Sequence, residues 1–365
     1  MGLEHLDPES LKLRRWGNPS DVIGQKLRFW KGDIIYGKRR AYQRKLAVAD
    51  FDGICSAHAF VLRAKPDVCL PEFFPFFLQS ELFHQRALEI SVGSLSPTIN
   101  WSTLAKQEFP LPPVDEQRRI ADLLRQFDET LDSLADLVAS TKKLETALIH
   151  NRIPYPKWME GSYHLEEEFG KNVWKLSRVS EFANVIRGSS PRPKGDPRYY
   201  NGTLPRLMVE DITREGMYVT PRVDTLTEEG ARLSRPVPAG TLVLVCSGNA
   251  GIPSILSIDA CIHDGLLALT NIRNKLSTEY LYYAFIRLKP ELMRLTTNGG
   301  IWSNLTTDIM KSVPVPIPPD KYVTELLETL KTATHSVKLA EEHLNISKKT
   351  YGKLLNHLLG SSKAE

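Results

Sequence analysis

Two short runs concentrate the residue types that could do chemistry in this chain. KGDIIYGKRRAYQRK, from Lys31 to Lys45, holds six basic residues and one acid, interleaved with Tyr36, Tyr42 and Gln43. Arg39, Arg40 and Arg44 offer planar forks for phosphates or guanine edges, and Gln43 has the donor and acceptor that match adenine. Lys38 and Lys45 suit phosphates as point charges. RGSSPRPKGDPRYY, from Arg187 to Tyr200, holds four basic residues and one acid. Its glycine and proline content predicts an exposed loop, in which Arg187, Arg192, Lys194 and Arg198 supply charge. Ser189 and Ser190 add short donors for a phosphate backbone. One basic run reads most simply as solvated surface. Two, one in each half of the chain, favour a polyanion, and a net charge of +4 permits nucleic acid without demanding it.

Catalysis has no comparable foothold. There is no G-x-x-x-x-G-K-[ST], no G-x-S-x-G and no H-E-x-x-H, and the stretch GSSPRPK only superficially resembles a phosphate loop. Asp196-Pro197-Arg198-Tyr199 differs from the Asp-Pro-Pro-Tyr of adenine methyltransferases by Arg198, and no glycine-rich cofactor loop accompanies it. His58 and His263 fall in comparable strand regions and read as packed or hydrogen-bonded side chains. Cys55, Cys69, Cys246 and Cys261 form no C-x-x-C pair, so buried structural thiols are expected rather than a zinc site. The expectation is a chain with no catalytic residue, no metal and no cofactor of its own.

What must position these runs is visible as a repeat. Gly93 to Pro113 lies over Gly299 to Pro319 without a gap, KGDIIYG over AGTLVLV (Ala239 to Val245), FDGICSAHAF loosely over DACIHDGLLAL, and Leu3 to Leu6 over Val209 to Ile212. A fixed offset this long signals a duplicated domain. Each copy leads into a long helix. Ile120, Leu124, Phe127, Leu131, Leu134, Val138, Thr141 and Leu148 make a narrow heptad-like seam, and Val323, Leu327, Leu330, Val337, Leu344, Tyr351, Leu355 and Leu358 make a second. Two such helices are expected to pair as an antiparallel coiled coil about a pseudo-twofold axis. The segments between alternate short β-rich runs with helical stretches at Glu72 to Leu88 and Thr278 to Met293. The fold class is therefore α+β: two mixed modules and two long helices. The expected divisions are a first module over 1–113, a helix over 114–152, a linker over 153–173, a second module over 174–319 and a second helix over 320–360. The linker reading rests on Pro154, Pro156, Gly161, Gly170 and the acidic run Glu166-Glu167-Glu168.

Composition sets the outer bounds. The chain has 365 residues, enough for two or three cores, and its composition is that of a globular protein. No stretch approaches the roughly 20 apolar residues of a membrane span. The first residues are charged where a signal peptide needs an apolar centre, so a cytoplasmic location is expected.

One run carries a family resemblance. LPPVDEQRRIADLLRQFDETLDSLADLVASTKKLETALIHNRI, from Leu111 to Ile153, closely resembles the central conserved helix of type I restriction-modification specificity subunits. GDIIYGKRRAYQRKLAVADFDGICSAHAFVL and ISVGSLSPTINW resemble the core of a target recognition domain in those proteins. The likeness is weaker in the second half, where Tyr322 and Thr324 interrupt the motif. The resemblance implies a non-catalytic subunit of a bacterial or archaeal type I deoxyribonuclease and adenine methyltransferase complex. Its two recognition domains would each read half of a split duplex-DNA sequence, with the long helices setting the spacer. Partners implied are two modification subunits using S-adenosylmethionine and, where present, two restriction subunits using ATP and magnesium. Glu116, Gln117, Arg118 and Arg119 would belong to the subunit-docking region. The first module has no counterpart of Trp174 to Arg206, which leads to the expectation that it is N-terminally incomplete, through a misplaced start or a real truncation. Rival readings are a coiled-coil adaptor that does not read DNA, a half-functional truncated reader, and an enzyme in its own right.

Overall fold

The computed structural model describes all residues except 9, 19, 21, 160–161, 166–173, 275, 297–303 and 361–365. Gly161, Gly170, the acidic run Glu166 to Glu168 and the start of the second repeat segment, 299–303, lie outside the described residues. The chain divides into two units, one comprising Met1–Val138 with Ala340–Glu365, the other Ala139–Leu339.

The first unit contains β1 (Leu27–Phe29), β2 (Ile34–Gly37), β3 (Leu46–Val48), β4 (Gly53–Cys55), β5 (Ala59–Leu62), α1 (Phe74–Gln79), α2 (Glu81–Glu89) and α3 (Trp101–Leu104). It also holds the first part of α4 (Val114–Arg152). β3, β2 and β5 form a three-stranded antiparallel sheet in that order, and β1 pairs with β4. The single helical stretch read at Glu72 to Leu88 is broken at Ser80, whose hydroxyl accepts the Phe83 N–H and so caps α2.

The second unit is the fuller copy. After β6 (Pro156–Met159) and β7 (Ser162–Leu165), a hairpin within the stretch read as linker, come β8 (Lys175–Arg178), α5 (Val179–Phe182), β9 (Asn184–Arg187) and β10 (Tyr200–Leu207). Next are α6 (Val209–Glu215), β11 (Tyr218–Val219), β12 (Asp224–Leu226), α7 (Glu228–Leu233), β13 (Pro236–Val237), β14 (Leu242–Val245), β15 (Pro253–Leu256), β16 (Ala260–Ile262) and β17 (Leu266–Thr270). α8 (Thr278–Leu295), α9 (Thr307–Ser312), β18 (Pro314–Ile317) and the first half of α10 (Asp320–Leu359) complete it. β11-β15-β14-β17-β9 is one sheet and β12-β10-β16-β13 another.

The duplication is three-dimensional. β2, β3, β4 and β5 correspond to β14, β15, β16 and β17, and α3 and α4 to α9 and α10. Strand burial explains why the sequence match survives as pattern rather than identity. On β14, Leu242 and Leu244 pack toward α8, while Val243 and Val245 pack toward the second sheet. On β2, Ile34 and Tyr36 face the helices, whereas Ile35 faces the opposite core. A strand buried on both faces must be apolar at every position, because successive side chains point to opposite sides. Among the described residues the first unit has no counterpart of β8, α5, β9 or β10, so β5 lacks the outer neighbour that β9 gives to β17.

The long helices α4 and α10 have 39 and 40 residues, hence about 60 Å each. Within each unit the segments of the two helices lie side by side in antiparallel sense. In the first unit Phe127 packs on Tyr351 with ring centroids 5.6 Å apart. In the second unit the Thr334 hydroxyl donates to Glu145 over 2.6 Å. Every seam residue named from the sequence is buried or half-buried, as expected of a pair whose stripes face each other.

Candidate nucleic-acid interface

In the first unit the basic run connects β2 to β3. Gly37 and Lys38 are tied down by N–H bonds to Lys45 O (2.8 Å) and His58 O (3.0 Å), and Arg40 N–H donates to Pro97 O at 2.7 Å. Ile99 N–H returns to Lys38 O at 3.0 Å. Ala41 to Gln43 form one 3₁₀ turn, flanked by Arg40 and Arg44 in the left-handed region at φ 56° and 49°. Arginine pays for that conformation where glycine or asparagine would not.

The seven candidate side chains of this run separate into two groups. Arg44 pairs with Glu81, and the Lys45 ammonium donates to Leu3 O at 2.8 Å, so both are spent inside the unit. Hydrogen bonds from Gln85 and Arg44 hold the Glu81 carboxyl below its ordinary pKa. Lys38 lies 5.0 Å above the Phe60 ring, and Arg39 is 3.4 Å from His58 Nε2. Arg40, Tyr42 and Gln43 make no side-chain hydrogen bond or ion pair among the described residues, and Arg40 and Tyr42 are exposed.

In the second unit the basic run follows β9. Gly188 must be glycine, since a Cβ there would lie 2.0 Å from His263 O. Ser189 N–H donates to Ile262 O (3.1 Å), its hydroxyl to Leu233 O (3.0 Å), and the Ser190 hydroxyl accepts from Arg206. Both serines are therefore engaged within the unit. Arg198 grips Asp196, holding that carboxyl below its ordinary pKa. Arg187 Nε donates to Asp264 O at 2.9 Å, and Arg192 approaches the Asp264 carboxylate at 3.4 Å while staying 72% exposed. Lys194 is exposed and makes no hydrogen bond or ion pair among the described residues.

The two runs sit at different sequence positions in their copies, yet each lies at the equivalent end of its unit. In the first, Lys38 N–H bonds His58 O and Lys38 O accepts Ile99 N–H. In the second, Cys246 N–H bonds Gly265 O (2.9 Å) and Cys246 O accepts Leu305 N–H (2.8 Å). The β14–β15 connection, which bears no positive charge, thus takes the place of the basic β2–β3 connection. Arg187, through Asp264 O, and Gly188, whose N–H donates to Leu266 O, bring the other basic run to the same turn, 263–266.

Sequence reasoning set aside His263, which joins this end. Its Nδ1 accepts the Gly265 N–H at 2.9 Å, so its proton sits on Nε2, 3.0 Å from Asp264 Oδ1. Burial holds its pKa below the ordinary value. Asp264 was invisible to a search for positive charge, although it organises Arg187, Arg192 and His263.

Of the four helix-start candidates, Gln117 is 1% exposed. It accepts Leu70 N–H (2.8 Å) and donates to Val68 O and Pro112 O (2.9 Å each). Glu116, Arg118 and Arg119 face solvent as i,i+3 pairs. The four cysteines are buried free thiols, and burial pushes Cys69 up to about 11. Among the described residues no group of three or more His, Cys, Asp or Glu could hold a metal ion, and no helix is long and apolar enough to cross a membrane.

Comparison with known proteins accounts for this architecture. The family model described as "Type I restriction modification DNA specificity domain" matches twice, over residues 23–140 and 171–346. A Methanocaldococcus jannaschii protein assigned as the MjaX type I restriction enzyme specificity subunit is 19% identical over 98% of this chain and 85% of its own length. The Escherichia coli EcoDI specificity subunit is 31% identical over 31% of this chain and 25% of its own. A chain from a structural study of complex assembly and conformational transition in the type I R-M system aligns with TM-score 0.62 and 20% identity, covering 98% of this chain and 90% of that one. The type I restriction-modification S subunit from M. genitalium aligns with TM-score 0.53 and 18% identity over 98% of this chain and 89% of its own. With both copies of the duplicated unit matched, the chain belongs to the type I restriction-modification DNA specificity family.

Proposed function

We propose that the chain reads a two-part duplex DNA sequence, one part per unit, and performs no chemistry itself. The observation that carries this is that each duplicated unit holds a basic segment at the same end, though the two segments come from different connections. Phosphate contacts from Lys38, Arg39, Arg40, Arg192 and Lys194 would orient the duplex, with Tyr42 and Gln43 available to base edges. Arg44, Lys45, Ser189, Ser190 and Arg198 serve by shaping their loops. The division of labour follows the modules: 1–113 and 174–319 read, 114–152 and 320–360 space and recruit, and 153–173 connects.

The partners are two modification subunits that methylate adenine with S-adenosylmethionine, docking at the start of α4 where Glu116, Arg118 and Arg119 are exposed. Gln117 acts there by fixing the helix start. Restriction subunits using ATP and magnesium would complete a nuclease, and the assembly would work in the cytoplasm. The test is co-expression with the modification subunit, followed by mapping of methylated adenines by single-molecule sequencing. A split motif with two defined halves is expected. One defined half would restrict reading to a single unit, and methylation without sequence preference would refute the assignment.

A further inference from the structure

The second unit contains a buried arginine whose fork bonds in two directions. Arg206, on β10, has a side chain only 3% exposed. Its guanidinium lies 5.4 Å over the Tyr200 ring, donates through Nη1 to Asp224 on β12 at 2.6 Å, and through Nη2 to the Ser190 hydroxyl. Its Nε is buried without a hydrogen-bond partner among the described residues. Burying this cation to pair it with Asp224 alone would be a weak device, since such pairs often contribute no more than apolar residues of the same size. The second branch of the fork reaches out of the sheet into the loop that carries Arg192, Lys194 and Arg198. That loop is fastened immediately beside it: the Tyr200 hydroxyl donates to Pro191 O at 2.7 Å, and the Ser234 hydroxyl to Ser189 O at 2.7 Å.

We propose that Arg206 is a positioning residue for DNA reading, which holds Ser190 and thereby sets the pose of the Arg192–Arg198 segment before DNA arrives. The inference rests on the reading that this segment faces DNA. A loop already held in its bound pose loses less conformational freedom on binding, and the saving appears as affinity. Arginine suits the task because its planar fork donates in two directions at once. A lysine has a single nitrogen in place of the fork, so it could serve both only by drawing Asp224 and Ser190 to one point.

The experiment uses the full chain and a fluorescent mixed-sequence DNA duplex, with binding followed by anisotropy across a salt series well below the thermal midpoint of every variant. Arg192→Ala and Lys194→Ala test the underlying reading, each lowering the slope of log Kd against log salt by about 0.9. Ser190→Ala removes no charge, yet it is expected to weaken binding about three- to tenfold. The Lys194→Ala effect should also shrink in the Ser190→Ala background, which a general loss of stability would not cause. Arg206→Lys should reproduce Ser190→Ala, and the double variant should be no weaker than either single one. Wild-type affinity in Ser190→Ala and Arg206→Lys, or additive losses in the double variant, would overturn the positioning role while leaving the DNA-facing loop intact. An unchanged salt slope in Arg192→Ala and Lys194→Ala would instead remove the loop from the interface, and the inference with it.

Discussion

Replacing Arg40 with glycine should make the first unit more stable and a poorer DNA binder at the same time. Arg40 sits at φ 56° and ψ 54°, and its exposed side chain makes no hydrogen bond or ion pair among the described residues. The left-handed region costs an L-residue about 1–2 kcal/mol, of which glycine's extra backbone entropy in the unfolded chain returns about 0.5–1 kcal/mol. The net gain of Arg40→Gly is then about 0.5–1 kcal/mol, or a rise of roughly 1–4 °C in the midpoint of a unit this size. Arg40→Ala keeps the strained backbone, so its midpoint should match the wild type. If the guanidinium contacts a phosphate, both variants lose about 0.9 from the salt slope, so their deficit against wild type changes about threefold between ~50 and ~200 mM salt. Calorimetry and anisotropy titrations read the two quantities separately. A midpoint that falls in Arg40→Gly would show that the side chain stabilises the unit and refute the strain argument, and a wild-type slope in both variants would remove Arg40 from the interface.

Other outcomes follow from the same contacts. Gly188→Ala places a methyl against His263 O and should cost about 1–3 kcal/mol of second-unit stability, with loss of preference confined to one half of the methylation motif. Gln117→Ala leaves the Leu70 N–H without its partner and should lower stability by about 2–3 kcal/mol in denaturant titrations, while the DNA salt slope stays at its wild-type value. His263 titrates below its ordinary 6.5 because it is buried, so the unfolded chain takes up that proton first. The stability it contributes is complete above about pH 6.5 and is lost as pH falls from there through the folded-state pKa. A His263→Asn variant should accordingly show a shallower loss of thermal midpoint over that window, and an unchanged profile would assign the acid sensitivity elsewhere.

The duplicated α+β framework was legible because its signals are local or periodic. The seams of α4 and α10 repeat at heptad spacing, and strands such as β2 and β14 are apolar throughout because both faces are covered. Less legible was the break between α1 and α2, where one serine cap outweighs a continuous apolar pattern. The basic runs were legible as composition but not as chemistry. Nothing near Arg44 or Lys45 in the chain announces that Glu81 and Leu3 O would occupy them, and the serines after Gly188 looked free until Leu233 and Arg206 were found beside them.

What the sequence by itself determined is therefore the repeat, the element types and the places where positive charge accumulates, since each depends on neighbours within a few turns or strands. Only the tertiary structure decided that two unrelated connections meet the same end of the duplicated unit, and which of their charges remain available to a ligand. Availability is a matter of pairing: a charge that finds a carboxylate or carbonyl inside the fold is already neutralised or hydrogen-bonded. Asp196 does this for Arg198 from two residues away, but Glu81 for Arg44, Leu3 O for Lys45 and Asp264 for Arg187 and Arg192 come from tens of positions away in the chain.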